Sequence, residues 1–278
     1  MFSFPVEKTV KERKSIRTYL KDPITEEDRK KIAECIDYLS SAPSPFDCKI
    51  RIRIFDVNKE INSKDLGTYG VIKNAKTYLG VAAEKAPVAI EAVGYCFEKL
   101  VLYAQSIGLG TCWLGGTFNR GEFAKAMEIE ENEFFPIASP IGYPAPKNHT
   151  VNKVMRMAIK ADKRKDWDKL FFDGDFSKPL TRSEAGEWAY PLEMVRLAPS
   201  AANKQPWRIV RQGNMWHFFE KKEMSSQNDI QRLDVGIALC HFELAANEKG
   251  IKGKVQVLDN VDTAREDNML YIFSFIAE

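Results

Sequence analysis

Apolar residues along this chain recur in two periods, and the period changes at glycine and proline. Ile32, Cys35, Ile36 and Leu39 follow helical spacing. Thr25 is placed to cap that helix, Glu26, Glu27 and Asp28 load its first turn with charge that suits the helix dipole, and Pro43 and Pro45 stop it. The pattern predicts a helix over residues 25–40. Residues 49–55 alternate instead, with Ile50, Ile52 and Ile54 on one side and Lys49, Arg51 and Arg53 on the other, which predicts a half-buried strand. Residues 78–83 and 87–90 read as further strands. Val93, Phe97, Leu100, Val101 and Ala104 form a continuous stripe that predicts a helix over 92–107, with Gly108 ending it. In the second half, strands are expected at 207–212, 216–220, 254–258 and 269–275.

The second half also repeats the first. Pro23-Ile24-Thr25 and Ala42-Pro43-Ser44 match Pro179-Leu180-Thr181 and Ala198-Pro199-Ser200 at one constant spacing of 156 residues. Val93-Gly94 and Gly108 match Val235-Gly236 and Gly250 at a spacing of 142. Val235, Leu239, Phe242 and Ala246 repeat the apolar stripe. The 14-residue difference falls between Ser44 and Val93, where the first copy carries the segment from Gly67 to Ile72 without an evident partner. The alternative is chance coincidence of proline and glycine in an ordinary α/β domain. Two matched apolar helices point to a pseudo-twofold packing like that of an isologous dimer. The charged stretch 160–169 reads as the connector, which divides the chain into halves 1–165 and 166–278.

Composition narrows the function. The chain has 278 residues, 44% hydrophobic and 29% charged, with a formal net charge of +2. That is enough for a large core or two small ones, and too little basic charge to argue for nucleic acid. Five scattered cysteines without a CxxC pair read as reduced thiols of a cytosolic protein, and three histidines without ligand spacing give no zinc signature. The N-terminus is charged too early for a signal peptide, and no apolar run approaches the ~18 residues of a membrane helix. A cytoplasmic protein without membrane or metal is expected.

Four segments could carry chemistry, each with a plainer reading beside it. Arg13-Lys14-Ser15-Ile16-Arg17 puts three cations and a hydroxyl within five residues, the groups a phosphate needs, or it is a basic surface patch. The segment from Leu197 to Trp207 offers small residues for close approach of a flat ligand and an Asn and a Gln to read a heterocycle edge, or it is a helix end turning into a strand. Residues 108–116 hold four glycines after a helix, either to face backbone N–H groups toward a ligand or to link helix and strand; this is not a dinucleotide fingerprint. Lys163-Arg164-Lys165 is a fourth candidate or a solvated charge run. No triad, nucleophile elbow or P-loop is present, so the chemistry would come from a bound cofactor.

Taken in order, the RKSIR opening, PIT before the first helix, APSAANKQPW, GLGTCWLGG and PIGYPAP resemble the nitroreductase family of FMN-dependent oxidoreductases. More closely, the chain resembles a subgroup in which one polypeptide holds two tandem nitroreductase-like halves. The resemblance implies an α+β, nitroreductase-like fold whose halves form an intramolecular pseudo-dimer, acting as a monomer. It implies one FMN served by both halves, since the first half keeps the basic motif and lacks the Asn loop, whereas the second does the reverse. By position, Arg13, Lys14, Ser15 and Arg17 would hold the phosphate and flavin edge. Pro199, Ser200, Ala201 and Asn203 would contact the isoalloxazine, and Leu114, Gly115 and Gly116 would line its N5 side. Lys163 and Arg164 fit a late basic phosphate contact, with Arg156 as a rival. Tyr69 and Gly70 sit where the family has another flavin-lining loop, without its usual Asn and Lys. The Gly-Gly at 115–116 stands where many relatives carry Glu-Gly. The implied activity moves a hydride from NADH or NADPH through FMN to a small electron-poor acceptor such as a nitroaromatic or quinone, with no protein residue nominated as catalytic. The alternatives are a non-catalytic flavin-binding or scavenging protein, or a pseudoenzyme.

Overall fold

A computed structural model describes residues 3–41, 45–68, 70–146, 157–222, 230–261 and 268–278. The motif at 42–44, Tyr69 and Arg156 lie outside the described residues. The chain forms two compact units. The first comprises 1–44, 48–89 and 96–161; the second comprises 45–47, 90–95 and 162–278.

In the first unit, helices α1 (Val6–Glu12) and α2 (Glu26–Ser41) precede strands β1 (Ile50–Asp56) and β2 (Thr77–Glu84), helix α3 (Ala89–Ser106; its residues 90–95 count with the second unit), strand β3 (Gly110–Thr111), helix α4 (Arg120–Met127) and strand β4 (Glu133–Gly142). The sheet runs β1-β2-β4-β3, antiparallel throughout. In the second, β5 (Phe171–Asp173) is followed by helices α5 (Arg182–Ala185) and α6 (Ala189–Leu197), hairpin β6 (Trp207–Gln212) and β7 (Met215–Lys221), helix α7 (Ile230–Glu248), and strands β8 (Gly253–Gln256) and β9 (Met269–Ala277). Its sheet runs β5-β6-β7-β9-β8, with β5 parallel to β6 and the rest antiparallel.

Without β5, the second sheet repeats the first strand for strand, so the expected duplication and α+β class are borne out. Details repeat as well. Thr25 Oγ1 accepts the Asp28 N–H (3.2 Å) at the start of α2, and Thr181 Oγ1 accepts the Glu184 N–H (3.2 Å) at the start of α5. Gly108 and Gly250 end α3 and α7 at φ +85° and +75°, each followed by the same return bond, Leu109 N to Ala104 O (2.9 Å) and Ile251 N to Ala246 O (3.0 Å). The shorter spacing after the first strand also has a cause. β6 and β7 are joined by the turn Gly213-Asn214, whereas β1 and β2 are joined by residues 57–76, which include the Gly67 to Ile72 segment.

The copies diverge where glycine and proline intervene. α2 is one helix of 16 residues, but its counterpart, 182–197, is broken at Gly186 (φ +57°, ψ −128°) into α5, a short 3-10 turn and α6. One sequence expectation is corrected. Residues 87–90, expected as strand, run into the first turn of α3; four apolar residues fit either period, and Pro87 sits just ahead of the helix, where a missing N–H costs nothing. The Arg51 and Arg53 face of β1 is not simply solvated. Arg51 donates to Met127 O (2.6 Å) and Glu128 O (3.2 Å), and Arg53 to Ala126 O (2.7 Å), satisfying the end carbonyls of α4. Phe55, on that same face, is buried against Phe123 of α4.

Within the second unit, the first turns of α3 cross α7 at two glycines. A Cβ on Gly94 would strike the Leu233 carbonyl oxygen, and one on Gly236 would strike the Glu91 carbonyl oxygen. Each glycine thus meets the residue three positions before the other, which is the signature of a twofold-related crossing. Glu91, fully buried there, pairs with Arg232 Nε at 2.5 Å.

The face of the second sheet bearing Val210, Phe219 and Tyr271 is closed by Phe172 and Phe176. On strand β7, His217 is buried with every polar atom bonded: Ser274 Oγ lies 2.7 Å from Nδ1 and Gln212 Oε1 3.1 Å from Nε2. Burial pushes its pKa below the ordinary 6.5. In the unfolded chain the ring takes up a proton near pH 6.5, in the fold only at lower pH. The stability contributed by the neutral ring is therefore present above about pH 6.5 and lost as pH falls toward the folded value. His217→Gln is expected to flatten the acid limb of unfolding free energy against pH, measured by urea denaturation; an unchanged slope below about pH 6.5 contradicts this.

Candidate functional site

The basic segment of the first unit begins where α1 ends. Arg13 leaves the helix in extended conformation (φ −63°, ψ 128°). Three neighbours then hold the chain. Ile16 donates to Thr111 O on β3 (2.8 Å), Lys73 donates to Arg17 O (2.8 Å), and Ala145 of the PIGYPAP segment donates to Thr18 O (3.0 Å). Gly110 is required by this approach, since its Cβ would lie 2.5 Å from Ile16 Cγ1. Buried Tyr19 closes the turn by donating its hydroxyl to Ile16 O (2.7 Å).

These bonds gather most of the predicted phosphate set. Arg13 Nε lies 3.9 Å from Glu98 Oε1, and Glu98 is a fully buried carboxylate that also accepts the Trp113 indole N–H (2.9 Å). Lys14 is exposed, with no partner among the described residues. Ser15, Arg17 and Arg13 all act on the Cys112 thiol; burial pushes its pKa up, and the two guanidiniums and the Ser15 hydroxyl oppose that. The thiol therefore stays neutral beside two cations.

The glycine loop follows directly on β3. Leu114 is buried and bridged to β4, its N–H bonded to Ala138 O (2.9 Å). The N–H groups of Gly115 and Gly116 have no acceptor among the described residues, and the space above Gly116 is open for 4 Å. Gly70 lies in the β1–β2 connection at φ +73°, also facing open space.

In the second unit, the Ala198 to Gln205 loop holds three non-glycine residues in left-handed conformation: Ala202 (φ +48°), Asn203 (φ +57°) and Gln205 (φ +48°). Such conformations cost about 1–3 kcal/mol each and persist only where surrounding bonds over-determine them. The bracing is dense. Asp234 of α7 accepts the Ala201 N–H with both carboxylate oxygens (3.1 Å each), and Ser200 Oγ accepts the Gln205 N–H (2.9 Å). Arg164 donates to Asn203 Oδ1 (3.2 Å) and Leu197 O (3.1 Å), while Asn203 Nδ2 donates to Lys163 O (2.9 Å). Gln205 accepts from Lys165 N (2.8 Å) and donates to Asn203 O (3.1 Å).

Within units, then, the structure joins residues that the sequence had to treat separately. Arg13, Ser15 and Arg17 meet near Cys112, two residues from Leu114. Lys163 and Arg164 meet Ser200, Ala201 and Asn203 through one hydrogen-bond network, and Pro199 lies in the same loop. Lys163 contributes its carbonyl oxygen there. Glu98, Asp234 and Gln205 were missed as supports. Gln205 lay inside a recognised motif, but the other two carry no sequence signal, because their roles exist only through contacts distant in the chain. Among the described residues, no group of His, Cys, Asp and Glu could hold a metal ion, and no helix is long and apolar enough to cross a membrane.

The profile of the family described as "Putative TM nitroreductase" matches residues 5–246. Among solved structures, the chain is similar to a protein from Thermotoga maritima described as a "putative nitroreductase", at 20% identity, with 99% of this chain and 95% of that one covered and a TM-score of 0.62. An FMN-dependent nitroreductase from Clostridium difficile aligns with 50% of this chain and 88% of its own (20% identity, TM-score 0.41). An iodotyrosine deiodinase solved with FMN and 3-iodo-L-tyrosine aligns with 52% and 92% (21% identity, TM-score 0.42). No curated protein matches the chain. A profile match across most of the sequence, joined to full-length likeness of fold, places this chain in the TM nitroreductase family.

Proposed function

We propose that this protein is an FMN-dependent oxidoreductase that passes a hydride from NADH or NADPH to a small electron-poor acceptor, such as a nitroaromatic or quinone. The observation that carries the reading is the bond from Ile16 N to Thr111 O. It ties a turn rich in cations to the strand that opens the glycine loop, so donors suited to a phosphate and donors suited to a heterocycle share one short frame. The chemistry of the set fits FMN. Arg13, Lys14, Ser15 and Arg17 are assigned to the phosphate and flavin edge, where charge-assisted bonds are strong. The N–H groups of Gly115 and Gly116 are assigned to the ring, with Gly70 and Tyr69 beside it. From the second unit, Pro199, Ser200, Ala201 and Asn203 are assigned to the same flavin, with Lys163 and Arg164 supporting them. That half of the assignment rests on the sequence, in which each copy keeps what the other has lost.

When bound, FMN supplies the hydride-transfer centre, and the protein positions it. The side chains named here bind and orient; none is assigned a proton transfer. The proposed working form is a single chain. Purified protein is expected to show flavin absorbance, one FMN per chain after reconstitution, and bleaching on anaerobic addition of NADH or NADPH. No flavin after reconstitution overturns the reading, and two per chain overturns the single-site assignment.

A further inference from the structure

Arg120 opens α4 one residue after its cap Asn119, which accepts the Glu122 N–H. Three features disfavour a cation there. The N-terminal end of a helix repels positive charge. The side chain is partly withdrawn from water, which lowers the guanidinium pKa. No carboxylate pairs with it among the described residues, since nearby Glu122 binds Lys125 (2.7 Å). Position 115, two residues after Trp113, is glycine and supplies no acid either.

What holds Arg120 is backbone oxygen. Nη1 donates to Phe135 O and to Pro136 O (3.1 Å), Nη2 donates to Gly115 O (2.9 Å), and the guanidinium sits 5.3 Å over the Phe118 ring. The two strand carbonyls come from an irregularity. Ala83 pairs with Phe134 and Val81 with Ile137, so Phe135 and Pro136 together oppose Ala82. Such a bulge leaves a residue out of the ladder and is a known way to re-aim groups beside a site. Arg120 thus clamps the Gly115 carbonyl to the β4 bulge. A trans peptide is planar, with C=O and N–H pointing opposite ways. Fixing Gly115 O therefore fixes the Gly116 N–H, which has no acceptor among the described residues, at a position where even an added Cβ would meet nothing within 4 Å. A charged donor on the carbonyl also polarises the N–H of the same peptide.

We propose that Arg120 is a positioning residue which, through the Gly115–Gly116 peptide, aims and polarises the Gly116 N–H toward the flavin ring and, with its uncompensated charge, favours the reduced over the oxidised cofactor. This rests on the FMN reading above. It is tested on FMN-loaded protein by the flavin reduction potential, measured by dye equilibration, in wild type, R120K and R120Q. Both variants can still reach carbonyl oxygens, and circular dichroism and melting check their fold. R120Q is expected to hold FMN while its potential moves negative, by about a tenfold change in the ratio of oxidised to reduced flavin at fixed potential, or about 30 mV for two electrons. R120K, which keeps the charge and loses the fork, is expected to fall between. A wild-type potential in folded, flavin-bound R120Q overturns the inference and leaves the FMN reading standing. Wild type that takes up no FMN overturns both. Should R120Q melt out, R120K decides alone, a shifted potential supporting the inference and an unshifted one overturning it.

Discussion

Gly236→Ala is expected to destabilise this protein by more than about 3 kcal/mol, although the same change in an ordinary helix interior gains up to about 1 kcal/mol. The sign reverses because of what lies opposite. The new methyl would meet the Glu91 carbonyl oxygen well inside van der Waals contact, and that oxygen belongs to the backbone of α3, which cannot rotate away as a side chain could. Relief requires the helices to separate, and separation would open the packing around Val235 and Leu239, both fully buried, and loosen the buried Glu91–Arg232 pair. Gly94→Ala is expected to cost about as much, since its methyl meets the Leu233 carbonyl in the mirror arrangement. The two losses should not add, because either change already forces the same separation. Gly121→Ala in α4 is the control, its nearest neighbour being Asn119 Oδ1 at an ordinary 3.6 Å. Urea denaturation of the four variants reads this directly. A Gly236→Ala protein as stable as the control would mean that these helices do not cross at their glycines.

The second large effect concerns the cofactor. Arg13→Ala and Asn203→Ala, one in each unit, are each expected to empty the protein of FMN. In the proposed site Arg13 would carry charge for the phosphate, from a turn that the Ile16–Thr111 and Lys73–Arg17 bonds keep in place. Its loss should raise the FMN dissociation constant at least tenfold, since a charge-assisted bond contributes about 1.5–3 kcal/mol. Asn203 acts differently. Its amide is bonded at both ends inside the loop, to Arg164 and to the Lys163 carbonyl, and its backbone is left-handed. Alanine there removes both bonds and adds strain, so the loop as a whole should relax. Asn203→Gly tolerates the backbone and removes only the amide, which separates the two causes. Flavin retained in full by both single alanine variants would count against one cofactor served by both copies.

The segments named here differ in how far the sequence could announce them. Thr25 and Thr181, the stops at Gly108 and Gly250, and the stripes of α3 and α7 act within a few residues, so their pattern is written in order along the chain. The same holds for the RKSIR turn, whose cations and hydroxyl are visible in the sequence wherever they lie. Short apolar runs fared worse. Residues 87–90 fit two periods, and a neighbouring helix start settled the matter.

By itself, then, the sequence determined the types of the long periodic elements, the doubling of one α+β unit, and which short segments carry cations, amides and glycines. Tertiary structure alone decided what those segments are fastened to. Only folding brings Asp234 under Ala201, Arg164 onto Asn203, Glu98 beside Arg13 and Arg120 onto the Gly115 carbonyl. The reason is physical. Periodicity and caps report bonds between near neighbours, whereas these supports answer groups carried on other segments: a loop N–H for Asp234, a side-chain amide for Arg164, a guanidinium for Glu98, and loop and bulge carbonyls for Arg120. Which carbonyl or N–H is left over is not defined until the strands have found their register.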